Sequence, residues 1–134
     1  MGVSDAAASR RFSGGLEFEI VASGGDEAVA RMPVAASMLN PFGTVHAGAL
    51  IWFADVTATV CAIGDPSSVE AGGKGFPLAV DLHCVLLANQ RDGELTATSR
   101  IVRRGVKLVV VRTEVTGAEG RLLIDMTTTH LRAG

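Results

Sequence analysis

Tyrosine is absent from this 134-residue chain, tryptophan occurs once and phenylalanine five times. Hydrophobic residues nevertheless make up 48% of it, so the core has to be built from Val, Leu, Ile, Ala and Met. Cysteine is equally scarce: Cys61 and Cys84 are the only two, each in apolar surroundings. Two such thiols form no disulfide framework and fit a reducing cytoplasm. Basic charge is not in excess either. The formal net charge is −2, whereas a protein whose main partner is nucleic acid needs a strong basic surplus to engage phosphates. Residues 1–15 lack the long apolar stretch of a signal peptide and read as a flexible or short helical segment. The length suits one domain spanning 1–134.

One run is apolar enough to raise the question of a membrane. From His46 to Ile63 the only polar residues after the first are Asp55, Thr57 and Thr59. The run sits at the lower edge of spanning length, a carboxylate at its midpoint is expensive in lipid, and no basic cluster flanks it. It reads as a helix buried inside a soluble fold, with Thr44 as its N-cap and Asp65-Pro66-Ser67-Ser68 at its end.

Around that helix the sequence predicts strands. Leu16 to Val21 and Ala28 to Val34 flank Gly24-Gly25-Asp26, a turn signal, and form a hairpin. Ala35 to Val45 is a loop, and Val69 to Pro77 is a glycine-rich one. Leu78 to Leu87, Glu94 to Val102, Lys107 to Thr116 and Leu122 to Leu131 follow, rich in residues branched at Cβ and divided by Asp92-Gly93, Arg104-Gly105 and Glu119-Gly120. Their short joints predict a four-stranded antiparallel meander. A helix apolar on all faces needs cover on all faces. One sheet covers one side, so the economical solution is α+β: a sheet curled around the helix and closed by a second subunit, the hotdog architecture.

The chemistry gathers in Asn40-Pro41-Phe42-Gly43-Thr44-Val45-His46-Ala47-Gly48, followed by Asp55 and Thr59. A helix starting near His46 leaves its first amides, that of Ala47 among them, pointing out of its positive end. A carbonyl that becomes an oxyanion during hydrolysis needs such donors. The small residues Ala47, Gly48 and Ala49 allow a ligand to approach. Thr59, four residues after Asp55, shares its helix face. Plainer readings stand beside these. His46 is equally a helix-start residue, Asn40-Pro41 a turn pair, and Thr59 a hydroxyl bonded back to its own helix. Asp55 resists a plain reading, because a carboxylate midway along an apolar helix costs several kcal/mol or so unless it is paired or used.

The stretch resembles the signature of the hotdog thioesterases related to the phenylacetic-acid-degradation enzymes and to the 4-hydroxybenzoyl-CoA thioesterases of the helix-glutamate type. Those carry Asn or Gln, His six residues on, then Gly-Gly, an acidic residue nine after the His, and often Ser or Thr four later. Asn40, His46, Asp55 and Thr59 fall in this register, and the resemblance spans most of the chain. It implies a cytoplasmic acyl-coenzyme A thioesterase, of aryl- or phenylacetyl-CoA type among the options. Asn40 would hold the thioester carbonyl or orient water, His46 would bind the thioester side or brace the helix, and the Ala47 amide would contact the oxyanion. Asp55 would be general base or nucleophile, with Thr59 positioning it or its water. Coenzyme A would be part of the substrate, with no cofactor and no metal. Sites would be composite across a homodimer, arranged as a dimer of dimers, with neither nucleic acid nor membrane as partner. The chain departs from the pattern at Ala47, where Gly is usual, and at Ala79, near where some relatives place a helper Ser.

Further residues fit the same reading. Gly48 is placed to line the substrate site, and Trp52, most simply a core residue, lies one turn before Asp55 where it can also wall an acyl pocket. Lys74, in what is most simply a flexible loop, and Arg103, Arg104 and Lys107 are placed to meet coenzyme A phosphates, the basic turn being equally a solvated hairpin end. Gly72-Gly73-Lys74-Gly75 lacks the Ser/Thr and following helix of a phosphate loop. Asp81 and His83 share a strand face but have no third metal ligand. No Gly-x-Ser-x-Gly elbow occurs, and the cysteines have no activating neighbour. Two rivals remain. One is a hotdog hydratase or dehydratase, which pairs its acid with a His at a different spacing. The other is a non-catalytic acyl-CoA-binding regulatory module, which needs no Asp55.

Overall fold

The computed structural model describes residues 15–133; the expected character of the first residues falls almost wholly outside that range. Among the described residues, six strands and one long helix form the fold: β1 (Glu19–Gly24), β2 (Glu27–Pro33), α1 (Ala47–Ile63), β3 (Pro77–Leu86), β4 (Glu94–Arg104), β5 (Leu108–Thr116) and β6 (Leu122–Arg132). They form one antiparallel sheet in the order β1-β2-β4-β5-β6-β3. The first hairpin turns on Gly25 and Asp26, both at positive φ (59° and 64°), as the tight turns favoured between twisted strands require. β1 begins later than the apolar run at Leu16 suggests.

The sheet is bent by bulges in β1, β3 and β4, each of which adds local twist, and α1 lies in its concave face. Ala49, Leu50, Phe53, Ala54, Thr57, Ala58, Cys61 and Ala62 of α1 are buried, a stripe at three- and four-residue spacing that faces the sheet. Opposite it stand Ala28, Ala30 and Met32 of β2, Leu95 and Ala97 of β4, Val111 and Val115 of β5, and Ile124 and Met126 of β6, all buried. The helix packs chiefly over the two central strands, β4 and β5. The other flank of α1 stays partly open: Trp52 is 37% exposed. One subunit therefore covers one side of an all-round apolar helix. Among the described residues no helix is long and apolar enough to cross a membrane.

The meander is three strands, not four. β4, β5 and β6 follow one another, but β3 lies beyond β6, with Ala79 opposite His130 and Cys84 opposite Met126, and β2 occupies the place beside β4. The cause lies in residues 87–93. This connector is not a tight hairpin. It runs past the ends of β6 and β5, where Leu87 and Ala88 donate to the Leu123 carbonyl and the Ala118 amide donates to Gln90 Oε1. β3 is consequently an edge strand, and its large apolar residues are open: Leu78, Val80, Leu82, Val85 and Leu86 are each at least 41% exposed.

Candidate active site

The loop before α1 is built around Asn40. Its Oδ1 accepts from the amides of Phe42 (2.9 Å) and Thr44 (3.1 Å), and its Nδ2 donates to Thr44 Oγ1 (2.8 Å). An asparagine that closes a turn on itself in this way competes well with regular structure. Asn40 is thus committed to shaping the loop, with one amide hydrogen left over for any other acceptor. Thr44 is not the helix cap, because its hydroxyl belongs to this loop. His46 takes that position without a side-chain cap bond; its carbonyl accepts from Ala49 and Leu50, and its ring is exposed. The amides of Ala47 and Gly48 have no intrahelical partner by geometry, and none elsewhere among the described residues. Both residues are exposed. The Ala47 amide is thus free at the positive end of the helix, as the sequence predicts, and the Gly48 amide is free beside it.

Asp55 lies two turns beyond Gly48. Its Oδ1 is shut off from solvent yet has no hydrogen-bond partner among the described residues. The side chain stands in a cleft of about 470 Å³ between α1 and β3, lined by Gly48, Ile51, Trp52 and Asp55 of the helix and by residues 79–82 of the strand. Trp52 is fixed there edge-on to Phe18, with ring centroids 4.9 Å apart, an arrangement that aromatic pairs favour. Gly48 and Trp52, both expected to line a substrate site, are brought together with Asp55. Thr59 is not: its Oγ1 donates to the Asp55 main-chain carbonyl at 3.0 Å, the plain reading of a threonine on a helix. Ala79 lines the cleft and brings no hydroxyl.

A buried histidine missing from the sequence reading sits behind this cleft. His130 of β6 is fully buried, with Nδ1 3.2 Å from the Pro77 carbonyl and Nε2 2.8 Å from Thr128 Oγ1. A carbonyl only accepts, so Nδ1 carries the proton and Nε2 accepts from the threonine. Burial pushes the imidazole below its usual range, while the Pro77 hydrogen bond and the negative charge of Asp55 act the other way. The only sequence signal was period-2 alternation in a threonine-rich strand, which says that position 130 faces inward and nothing more.

The basic residues lie elsewhere. Arg104 reaches across to the C-terminal end of α1, where Nη1 donates to the Ala62 carbonyl (2.8 Å) and Nη2 to that of Cys61 (3.3 Å), while Nε and Nη2 pair with Asp26. It closes a helix end and holds the first hairpin, which separates it from Arg103 and Lys107, both exposed at the β4–β5 turn. Lys74, also exposed, sits in a loop packed against the Ser68 turn just past the helix. A larger cavity of about 580 Å³ at this end is lined by Asp26, Gly64, Asp65, Arg104 and Arg132 among others, but Arg104 is already committed to Asp26 and the helix-end carbonyls, and Asp65 Oδ1 accepts from the Ser67 amide. Cys61 is buried, and burial raises its thiol to about 11, so it is no nucleophile. Among the described residues no three His, Cys, Asp or Glu side chains come together as metal ligands.

Residues 42–124, more than half of the chain, match the model of the thioesterase superfamily. No curated protein matches. Among solved structures, a thioesterase of Staphylococcus aureus, crystallised as a glutamine-to-alanine variant, is 25% identical with a TM-score of 0.78, over 89% of this chain and 95% of that one. A hypothetical thioesterase of Streptococcus pneumoniae, solved with coenzyme A, is 23% identical (TM-score 0.77; 88% and 87% covered). A Haemophilus influenzae thioesterase is also 23% identical (TM-score 0.74; 85% and 76%). The last two likenesses speak for the fold. A six-stranded sheet curled on one long helix, together with the family match across the loop, helix and most of the sheet, places the chain in the thioesterase superfamily: it is a hotdog-fold enzyme that hydrolyses thioesters.

Proposed function

We propose that the substrates are acyl-coenzyme A thioesters and that Asp55 is the catalytic carboxylate. The observation that carries this reading is the unpartnered Asp55 Oδ1, shielded from solvent beside a cleft whose lining is apolar apart from Asp55 and Asp81. An orphaned buried acceptor is costly to maintain and is what a group waiting for a water or a carbonyl carbon looks like. Ile51, Trp52 and Leu82 suit an acyl group. The coenzyme A seen with the S. pneumoniae relative supports the other half of the substrate, with Arg103, Lys107 and Lys74 as candidates for its phosphates.

Two routes give the same products. In one, Asp55 takes a proton from water as its oxygen attacks the thioester carbonyl; the oxyanion collapses, the C–S bond breaks and coenzyme A leaves as thiolate. In the other, the carboxylate itself attacks, expels the thiolate and leaves a mixed anhydride that water opens. Neither route calls for a metal or organic cofactor.

Ala47 and Asp55 are eight residues apart on a straight helix, an axial rise of about 12 Å. A reacting carbon must sit within about 3 Å of both oxyanion donor and nucleophile, so one helix cannot supply both. The site is therefore composite: Asn40, His46 and the Ala47 amide of one subunit face Asp55 of its partner. Edge strand β3 supports this reading. A long apolar edge with unpaired backbone groups invites strand pairing, and it borders the Asp55 cleft, so a second copy docked there would bring its own helix towards the carboxylate. A dimer of dimers is the assembly expected.

Asp55→Asn should lower turnover by roughly a hundred- to ten-thousand-fold, the scale of general-base loss, with KM little changed, read by release of free thiol from a panel of acyl-CoAs. Full turnover in the folded variant would remove Asp55 from the mechanism. Mixed dimers of Asp55→Ala and Asn40→Ala, refolded together, should recover up to half the wild-type activity, because one of their two sites is intact. Mixed dimers that stay dead while both parents fold would confine the site to one chain.

A further inference from the structure

Residues 89–91 hold the loop that leads into α1, and they do so with side chains rather than with a strand. Asn89 Oδ1 accepts from the Val45 amide at 3.1 Å, and Asn89 Nδ2 donates to the Val45 carbonyl at 3.0 Å. One side-chain amide therefore satisfies both main-chain groups of a fully buried residue, the pattern one strand residue offers another. The Gln90 carbonyl also lies 3.2 Å from the Val45 amide. The clamp is itself anchored: Asn89 Oδ1 takes the Gln90 amide (2.8 Å), and the Gln90 side chain is tied to the Ala118 amide and to the carbonyls of Asp92 and Glu94. At the far side of the loop, Arg91 Nη1 donates to the Phe42 carbonyl at 2.8 Å.

The point of attachment matters. The peptide joining Val45 to His46 has its carbonyl held by Asn89 and its N–H held by the Met38 carbonyl at 2.9 Å. Both ends of that plane are fixed. The next peptide carries the Ala47 amide, and only the φ and ψ of His46, at −57° and 137°, lie between the two. A tilt of the clamped plane would swing the Ala47 N–H directly.

We infer that Asn89 is a positioning residue: it aims the Ala47 amide at the developing oxyanion by fixing the Val45–His46 peptide. The inference rests on the reading of Ala47 and Asp55 given above. Oxyanion donors contribute through preorganisation, and a donor out of place by a fraction of an ångström loses much of its effect in the transition state while ground-state binding hardly notices. The bland alternative is that Asn89 merely satisfies buried backbone, in which case its loss costs stability and leaves the turnover of folded enzyme alone.

The test compares Asn89→Ala, Asn89→Asp and Arg91→Ala by kcat, KM and melting temperature on one acyl-CoA, with Asp55→Asn in parallel. Asn89→Asp keeps the acceptor for the Val45 amide but turns an oxygen towards its carbonyl, so it perturbs the plane even if the alanine variant folds poorly. Both Asn89 variants should lose roughly ten- to a hundred-fold in kcat, less than the removal of a whole oxyanion donor, with KM within about twofold of wild type. Arg91→Ala releases only the far side of the loop and should keep kcat within about threefold. Turnover within twofold of wild type in a folded Asn89 variant, beside an inactive Asp55→Asn, overturns the inference and leaves the site standing. An equal loss in Arg91→Ala also overturns it, since any slackening of the loop would then suffice. A fully active Asp55→Asn sinks the reading of the site and this inference with it.

Discussion

Arg104→Ala separates two roles that the sequence allows for the basic turn. The side chain is 29% exposed and serves two main-chain carbonyls at the end of α1, whereas its acidic partner Asp26 is 64% exposed. The Asp26 pair alone is worth at most about 1 kcal/mol in that setting. The hydrogen bonds to the carbonyls are charge-assisted, and a cation at a helix C-terminus adds a few tenths to 1 kcal/mol or so. Together the loss should come to about 2–3 kcal/mol. A chain of this length has an unfolding entropy near 0.28 kcal/mol/K, so Tm should fall by about 7–11 °C. The assay is thermal unfolding at fixed protein concentration, with KM for acyl-CoA measured well below the lowered Tm. KM should hold. Arg103→Ala and Lys107→Ala should do the reverse, raising KM for acyl-CoA but not for a short pantetheine thioester, with Tm unmoved. A Tm drop below 2 °C, or a KM raised severalfold by Arg104→Ala, would refute the assignment of Arg104 to the fold.

Two more outcomes follow from buried polar groups. Ser99 and Thr113 share a hydrogen bond of 2.6 Å across β4 and β5, both fully buried; Thr113→Val strands the serine hydroxyl and should cost about 1–3 kcal/mol, while adding Ser99→Ala should recover most of it, and a strictly additive double mutant in urea unfolding would contradict this. His130 has a folded pKa depressed by burial from the ordinary 6.5, so the unfolded chain takes up a proton first and stability declines as pH falls below about 6.5, with no contribution above it; His130→Gln should flatten the slope of unfolding free energy between pH 7.5 and 5.5, and an unchanged slope would show that this imidazole is not the titrating group.

The helix, its carboxylate and the first hairpin were legible because each is a local signal. An apolar run of helical length with one acid in it has few interpretations, and Gly-Gly-Asp between strand-like segments has one. Pairing order was less legible. Every late joint looked like a hairpin, and nothing local says that β2 outcompetes β3 for the free edge of β4. The site divides along the same line. Gly48, Trp52 and Asp55 came together through helix periodicity, which the sequence carries directly. Arg104 parted from Arg103 because neighbours on a strand point to opposite faces, and Arg104 takes the face within reach of the helix end. Asn89 and His130 act through residues at positions 45 and 77, and a contact at that separation leaves no mark in a single sequence.

The place of β3 has a consequence for how the protein is made. Among the described residues its one strand neighbour is β6, which is made only after β4 and β5. Until then an apolar strand waits with neither edge paired, while β4 and β5 already follow it out. At synthesis rates of about 5–20 residues per second, that interval lasts seconds, long enough for association with other nascent chains. The wall of the cleft opposite Asp55 is secured only once β6 is made, so a chain cut before β6 keeps its helix and its carboxylate but lacks the strand that holds that wall in place.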